Sequence, residues 1–268
     1  MELSPNFTRR LARLLPQSFP KYRSPPNIEG RPRVLVAGIY VGNKANTVEH
    51  LVEKIAAAKQ IDVEQRWMCM AAGSPPPATV AAVTVRSIEG YIPKWTALAE
   101  LIGKRPWEEF DYVVFCDDNI WVGDGFLDHL IGYQQAYDFA VAQPSRTWRS
   151  FTDWAIVRRR FGLKARETNF VESGPVVSMD KRFLPLAIPF SEESPMGWGY
   201  DLVWPIVAQK HGLKVGIIDA TPVCHSLRGR GVLYSYQKEI DRMSAFLSTR
   251  DHIRERSEEH TSELQSQS

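Results

Sequence analysis

The sequence predicts an α/β fold: a single domain built on a mostly parallel sheet with helices on both faces. Three observations carry this. Residues 33–70 hold an apolar run, a glycine-containing turn, an amphipathic helix and a second apolar run, a β-α-β unit whose two strands run parallel. Residues 112–116 form an unbroken apolar stretch rich in β-formers, too short for a helix, as a strand buried on both faces requires. Of the 268 residues 44% are apolar and 24% charged, a composition that builds a sizeable core rather than a disordered chain.

The elements follow in order. Residues 1–32 are a basic lead broken by Pro16, Pro20, Pro25, Pro26 and Pro32. Within it Phe7, Leu11, Leu14 and Leu15 share one side of a short helix beside Arg9, Arg10 and Arg13, a pattern that either touches a membrane surface or docks on the domain. The domain spans residues 33–250. Its first strand is Val34-Leu35-Val36-Ala37-Gly38-Ile39-Tyr40, its turn Gly42-Asn43-Lys44, and Asn46 or Thr47 caps a helix whose Val48, Leu51, Val52 and Ile55 make one face. Residues 63–70 are the second strand. Beyond the proline-rich loop 71–78, Val80, Val83 and Val85 suggest another strand, and Pro93 opens a helix that runs through Ile102 into the buried strand. Residues 126–133 are helical, and a short strand from Phe139 is expected to end at Pro144.

Residues 146–160 mix Trp148, Phe151 and Trp154 with five arginines. Such interleaving suits an anionic, stackable ligand, or a helix that packs its rings and solvates its arginines. Residues 169–179 are extended and bent at Gly174-Pro175. Two glycines around Trp198 make a poor helix interior, so Gly197-Trp198-Gly199 is a loop. A helix from Leu202 to His211, which Gly212 ends, leads into a buried strand over 214–219. Residues 256–268 have no apolar periodicity and match the translation of a common sequencing-adapter oligonucleotide. They are expected to be an assembly artefact that forms no packed structure, with the native C-terminus missing.

Several function classes fall away at this stage. A net charge of +2 gives no sign of a nucleic-acid partner. No apolar stretch spans a membrane, and the first residues lack a signal-peptide core. Cys69, Cys116 and Cys224 lie in or beside apolar runs without zinc-site spacing, as buried thiols of a cytoplasmic protein do. Gly38 and Gly42 let backbone approach a nucleotide or simply turn the chain, and they do not make G-x-G-x-x-G.

The chemistry concentrates where the buried strand ends in Asp117-Asp118-Asn119. Ligands of open α/β sheets bind outside the carboxyl ends of strands. Asp117 and Asn119 stand two apart, which an extended chain projects to one side. Hard oxygens there suit Mg²⁺ or Mn²⁺ bridging phosphates, although the same residues also make an ordinary turn. Lys94 at a helix start can meet a phosphate or sit on the surface. Glu172 is a carboxylate among apolar neighbours. Asp201 enters a helix near its N-terminus, as ligand or as cap, and His225 follows a buried strand, as ligand or as structural residue.

The order of these pieces resembles the GT-A type of nucleotide-sugar glycosyltransferase over residues 33–228. Asp117-Asp118-Asn119 is similar to that family's D-x-D motif, Gly197-Trp198-Gly199-Tyr200-Asp201 to its Gly-Trp-Gly-x-acidic segment, and His225 to its late metal-binding histidine. Phe170-Val171-Glu172, Trp198-Gly199-Tyr200-Asp201 and Ile218-Asp219-Ala220-Thr221-Pro222-Val223-Cys224-His225 resemble the group known as DUF707.

The resemblance implies a GT-A-like, Rossmann-like fold and metal-dependent transfer of a sugar from a nucleoside-diphosphate donor to a hydroxyl acceptor. It implies Mn²⁺ or Mg²⁺ on Asp117, Asn119 and His225, and Asp201 or Glu172 as the catalytic carboxylate. It also puts Gly38, Tyr40, Lys94, Asp118, Trp198 and Gly199 among the substrate contacts, with Trp198 as a face for the acceptor sugar. Two departures matter. Asn119 brings an oxygen but no charge, which lowers metal affinity. A single acidic residue follows Gly-Trp-Gly where several galactosyl-transferring members carry two, which leaves Asp201 as base or as acceptor ligand. A non-catalytic nucleotide- or glycan-binding protein and a metal-dependent phosphoesterase or nucleotidyltransferase are the competing classes.

Overall fold

Alternation along β1 (Arg33–Val41) sets the layers. The structure, a computed structural model, describes Tyr22 and residues 25–73, 75–103, 107–152, 154–228 and 235–254. Val34 and Val36 point into one core with Leu51 and Ile55 of α1 (Val48–Ala56) and Leu127, Leu130 and Ile131 of α4 (Phe126–Ala136). Leu35 and Ala37 point into the opposite core. There they meet Leu98 and Leu101 of α3 (Lys94–Gly103), Trp204 and Ala208 of α6 (Tyr200–Lys210) and Phe246 of α7 (Tyr236–Ser248). A period of two thus buries both faces of one strand, and helices cover the sheet on both sides.

The remaining strands are β2 (Asp62–Met70), β3 (Thr84–Ser87), β4 (Tyr112–Asp117), β5 (Ile120–Trp121), β6 (Phe139–Arg146), β7 (Arg166–Glu167), β8 (Val176–Asp180) and β9 (Lys214–His225). They lie in the order β3-β2-β1-β4-β8-β6-β9-β5, with β7 also on β9. β1 pairs in parallel with β2 and β4, β2 with β3, and β6 with β9. β8 runs antiparallel between β4 and β6, and β5 and β7 run antiparallel to β9. The mostly parallel α/β sheet expected from the sequence is therefore present, and the carboxyl ends of β1, β4, β6 and β9 face one edge.

Several expectations are corrected. Val80 lies in the short helix α2 (Ala78–Ala81), not a strand, and only Thr84–Ser87 pairs with β2. Pro144 does not end β6. The strand continues to Arg146: Pro144 still stands in register with Ile218 of β9, and the ladder shifts only between Pro144 and Arg146, which meets Val223. Among the described residues of 146–160 there is no long helix, and the helical piece is the 3-10 turn Ala155–Val157. β9 runs six residues past its expected end at 219 and carries His225 within it. The remaining short helix is α5 (Leu184–Ala187).

The described part of the lead docks on the domain. The Tyr22 hydroxyl donates to the Pro222 carbonyl at 3.1 Å and accepts from the Gly123 N–H at 2.9 Å. Pro26 packs where a Cβ on Gly132 would lie, 2.9 Å away. The amphipathic pattern at residues 7–15 and the tail at 256–268 lie outside the described residues. Among the described residues no helix is long and apolar enough to cross a membrane. All three cysteines are free thiols.

Candidate active site

At the carboxyl edge of the sheet the chain encloses a cavity of about 910 Å³. Its walls come from the ends of β1, β4, β6 and β9, from loops 172–175 and 196–199, and from α7. A hollow of about 740 Å³ beside residues 247–254 gathers none of these groups.

The acidic motif is assembled by backbone. β4 delivers Asp117, whose N–H donates to the Pro175 carbonyl at 2.8 Å across a cis Gly174-Pro175 bond. Asp118 turns inward and is 3% exposed. Its Oδ2 accepts the Val41 N–H at 2.8 Å, its Oδ1 meets the Arg228 guanidinium, and its carbonyl accepts from the Thr47 N–H and hydroxyl at 2.6 and 2.9 Å. Burial pushes its carboxyl up to about 6, against the opposing pull of Arg228. Both side-chain oxygens are thus held by the chain itself. Asp118 lines the cavity and also joins the ends of β1 and α1 to the segment after β9.

Asn119 follows, donating to the Arg228 carbonyl at 3.4 Å, while its Oδ1 is buried without a hydrogen-bond partner. The next residue, Ile120, pairs across the β5–β9 ladder with His225, so the late histidine arrives beside the acidic motif over a hundred residues later. The His225 N–H donates to Ser150 Oγ at 3.0 Å, and its Nδ1 lies 3.0 Å from Arg146 Nη1. Arginine has no acceptor, so Nδ1 accepts, and the neutral ring then carries its proton on Nε2. A metal ligand needs that lone pair. As held here, His225 offers that lone pair to a cation only where Arg146 releases it.

Arg146 is the residue that reading the sequence missed, because the strand was ended two residues too early. It donates to the Phe151 and Gly174 carbonyls at 2.9 and 2.7 Å, and to the Glu172 carboxylate. Glu172 is 4% exposed, with its N–H on Gln143 Oε1. Phe151 and Trp154 of the same arginine-rich segment line the cavity, whereas Trp148 is 61% exposed. Arg228, Glu239 and Arg242 also join the lining, and no spacing signal in the sequence marked them.

The opposite wall is the Gly-Trp-Gly loop. Gly197 and Gly199 have φ of +81° and +95°, where a side chain is strained. A Cβ on Gly197 would also lie 2.0 Å from Trp95 Nε1. These constraints turn Trp198 into the cavity, edge-on to Tyr236 at 5.1 Å, and start α6 so that Asp201 in its first turn lines the same space.

Of the other expected contacts, Lys94 lines the cavity. Its Nζ is 2.8 Å from Asp117 Oδ1 and donates to the Ser173 carbonyl at 3.2 Å. That Oδ1 is within ion-pair range but off the line of a hydrogen bond. Tyr40 borders the cavity, but its hydroxyl bonds Thr84 Oγ1 at 3.0 Å and burial raises its pKa to about 12. Gly38 is not in the lining. A Cβ there would lie 2.3 Å from the Trp67 ring, so this glycine makes room for a core tryptophan rather than for a nucleotide.

Several carboxylates of the lining face a cation: Asp117 with Lys94, Asp118 with Arg228, Glu172 with Arg146, and Glu239 with Arg242. Among the described residues no three His, Cys, Asp or Glu side chains converge as a complete metal cage. The buried oxygens Asp117 Oδ1 and Asn119 Oδ1, neither in a hydrogen bond, nevertheless fit a hard divalent cation that draws its other ligands from a substrate.

No family model matches the chain, and no curated protein does. Solved structures do share its fold. Mannosyltransferase PcManGT from Pyrobaculum calidifontis, in complex with GDP-Man and Mn²⁺, aligns with TM-score 0.54 and 16% identity over 91% of this chain and 69% of that one. GalNAc-T7 with UDP, GalNAc and Mn²⁺ aligns with TM-score 0.60 and 9% identity over 82% of this chain, which spans about half (48%) of that one. S. aureus TarS with UDP-GlcNAc aligns with TM-score 0.57 and 9% identity over 82% and 67%. The fold is that of the GT-A-type glycosyltransferases.

Proposed function

We propose that this protein transfers a sugar from a nucleoside-diphosphate sugar to a hydroxyl acceptor with the help of a divalent cation, Mn²⁺ before Mg²⁺. Within the GT-A type, its motif order puts it nearest the DUF707 group. One observation supports the reading above the rest. Asp117, Asn119, Glu172, Trp198, Asp201 and His225 come from distant parts of the chain and line one cavity at the carboxyl edge of the sheet. The fold neighbours in complex with GDP-Man, UDP or UDP-GlcNAc support the donor class.

The chemistry assigns a task to each group. Asp117 and Asn119 would hold the cation, with His225 when Arg146 releases it. Bound there, the cation would neutralise charge that builds on the leaving diphosphate. Arg146 and Lys94 add fixed positive charge to the same wall. Asp201, in the first turn of α6 beside Trp198, would take the acceptor proton or hold the acceptor hydroxyls, with Glu172 as the second candidate. Trp198, with Tyr236 at its edge, offers an aromatic face to the acceptor sugar. Three free thiols support a reducing compartment, the cytoplasm.

The test is a panel of UDP- and GDP-sugars incubated with the protein and Mn²⁺, with products separated by chromatography. Release of UDP or GDP is the expected result. Free phosphate or pyrophosphate would instead indicate a phosphoesterase or nucleotidyltransferase, and binding without turnover a non-catalytic protein.

A further inference from the structure

We propose that Lys94 is a built-in competitor of the divalent cation: its ammonium holds the Asp117 oxygen that a metal needs, so that metal enters together with a diphosphate rather than alone. This rests on the metal-assisted reading above and adds a control to it. The geometry is specific. Lys94 opens α3 with its side chain 12% exposed and its Nζ 2.8 Å from Asp117 Oδ1. The Ser173 carbonyl accepts from the same ammonium at 3.2 Å and fixes its direction. The following Gly174 leaves the space open, since a Cβ there would lie 2.4 Å from Lys94 Nζ and 3.2 Å from Asp117 Oδ2. Lysine, glycine and aspartate from three separate segments thus form one packed unit.

The electrostatic consequence follows directly. Asp117 is the only formal charge that the two oxygen ligands offer, and Lys94 cancels it. A divalent ion on Asp117 Oδ1 must displace or sit beside a like-charged ammonium within a few ångströms, which opposes binding. A diphosphate changes the balance twice, because it adds negative ligands to the metal and gives the displaced ammonium another partner. Metal and diphosphate then bind with positive coupling, and Lys94 sets its size.

The experiment is calorimetric titration of Mn²⁺ into the protein, alone and with saturating UDP or GDP. The variants are Lys94→Met, Gly174→Ala and the double substitution Lys94→Met with Asp117→Asn. Without nucleotide, Lys94→Met is expected to bind Mn²⁺ about tenfold or more tightly than wild type, because one opposing unit charge is gone. Gly174→Ala, which keeps the lysine but crowds its ammonium off Asp117, should shift affinity the same way by a smaller factor. The double substitution should lose the gain. Equal or weaker Mn²⁺ binding by both single variants, with nucleotide coupling intact in wild type, would overturn the role of Lys94 and leave the transfer reading standing. Absence of Mn²⁺ binding by every variant, with or without nucleotide, would overturn both.

Discussion

Glu172 and Asp201 are carboxylates of one cavity in different surroundings. Glu172 is buried and fixed by Arg146, while Asp201 rides on the first turn of α6 beside Trp198. Asp201→Asn is therefore expected to lower transfer by about 10²-fold or more, the scale of a lost general base, with donor affinity nearly unchanged. Steady-state kinetics beside a donor titration checks this. An equal loss of donor affinity would move Asp201 to the donor site, and unchanged turnover would move the base to Glu172. Asn119→Asp adds a charge at a buried oxygen and should tighten Mn²⁺ binding without donor, read by the same calorimetry.

β9 is the element that joins scaffold and site, and besides its ladders a buried ion pair ties it to β7. Arg166 of β7 donates through Nε to Asp219 Oδ2 at 2.7 Å, and both side chains are 0% exposed. The Arg160 N–H donates to Asp219 Oδ1 at 2.8 Å, and Arg166 Nη2 to the Ile156 carbonyl at 2.8 Å, so β7, β9 and the turn before β7 are tied at one point. Burial raises the Asp219 carboxyl, and Arg166 opposes the rise. Asp219→Leu leaves the guanidinium buried without its countercharge and should destabilise the fold by about 3–5 kcal/mol, measured by urea unfolding. Replacing both members with apolar residues should recover much of that loss. If the single substitution is neutral, the pair does not anchor β9.

At the scale of the whole molecule, distant parts of the chain meet in one cavity, and ligands that bridge them stabilise the folded form. Mn²⁺ and UDP or GDP together should raise the melting temperature by more than the sum of their separate effects. A ligand at a hundred times its Kd adds about 2.7 kcal/mol. Asp117→Ala should reduce the joint effect to the sum. Additive shifts in wild type would count against a shared metal–diphosphate site.

Much of this was legible without coordinates. Periodicity alone placed β1, α1, β2, β4 and α4, since period two and period 3.6 are local properties of burial. That Asp117 and Asn119 stand where a strand ends at the cavity, and that Gly197-Trp198-Gly199 is a loop, was readable because turn chemistry and strand ends leave residue-level signatures. The sequence could not show that Gly38 backs onto Trp67, that Asp118 clamps the chain, or that Arg146 holds both Glu172 and His225. Those facts depend on strand order, on the antiparallel insertion of β8 and on the β6 ladder continuing past Pro144. Local pattern determines which residues are buried or turned; only the tertiary arrangement decides which buried charge faces which. A carboxylate's chemistry is set by that neighbour, because at a few ångströms in a low-dielectric cavity the partner outweighs the residue's own type.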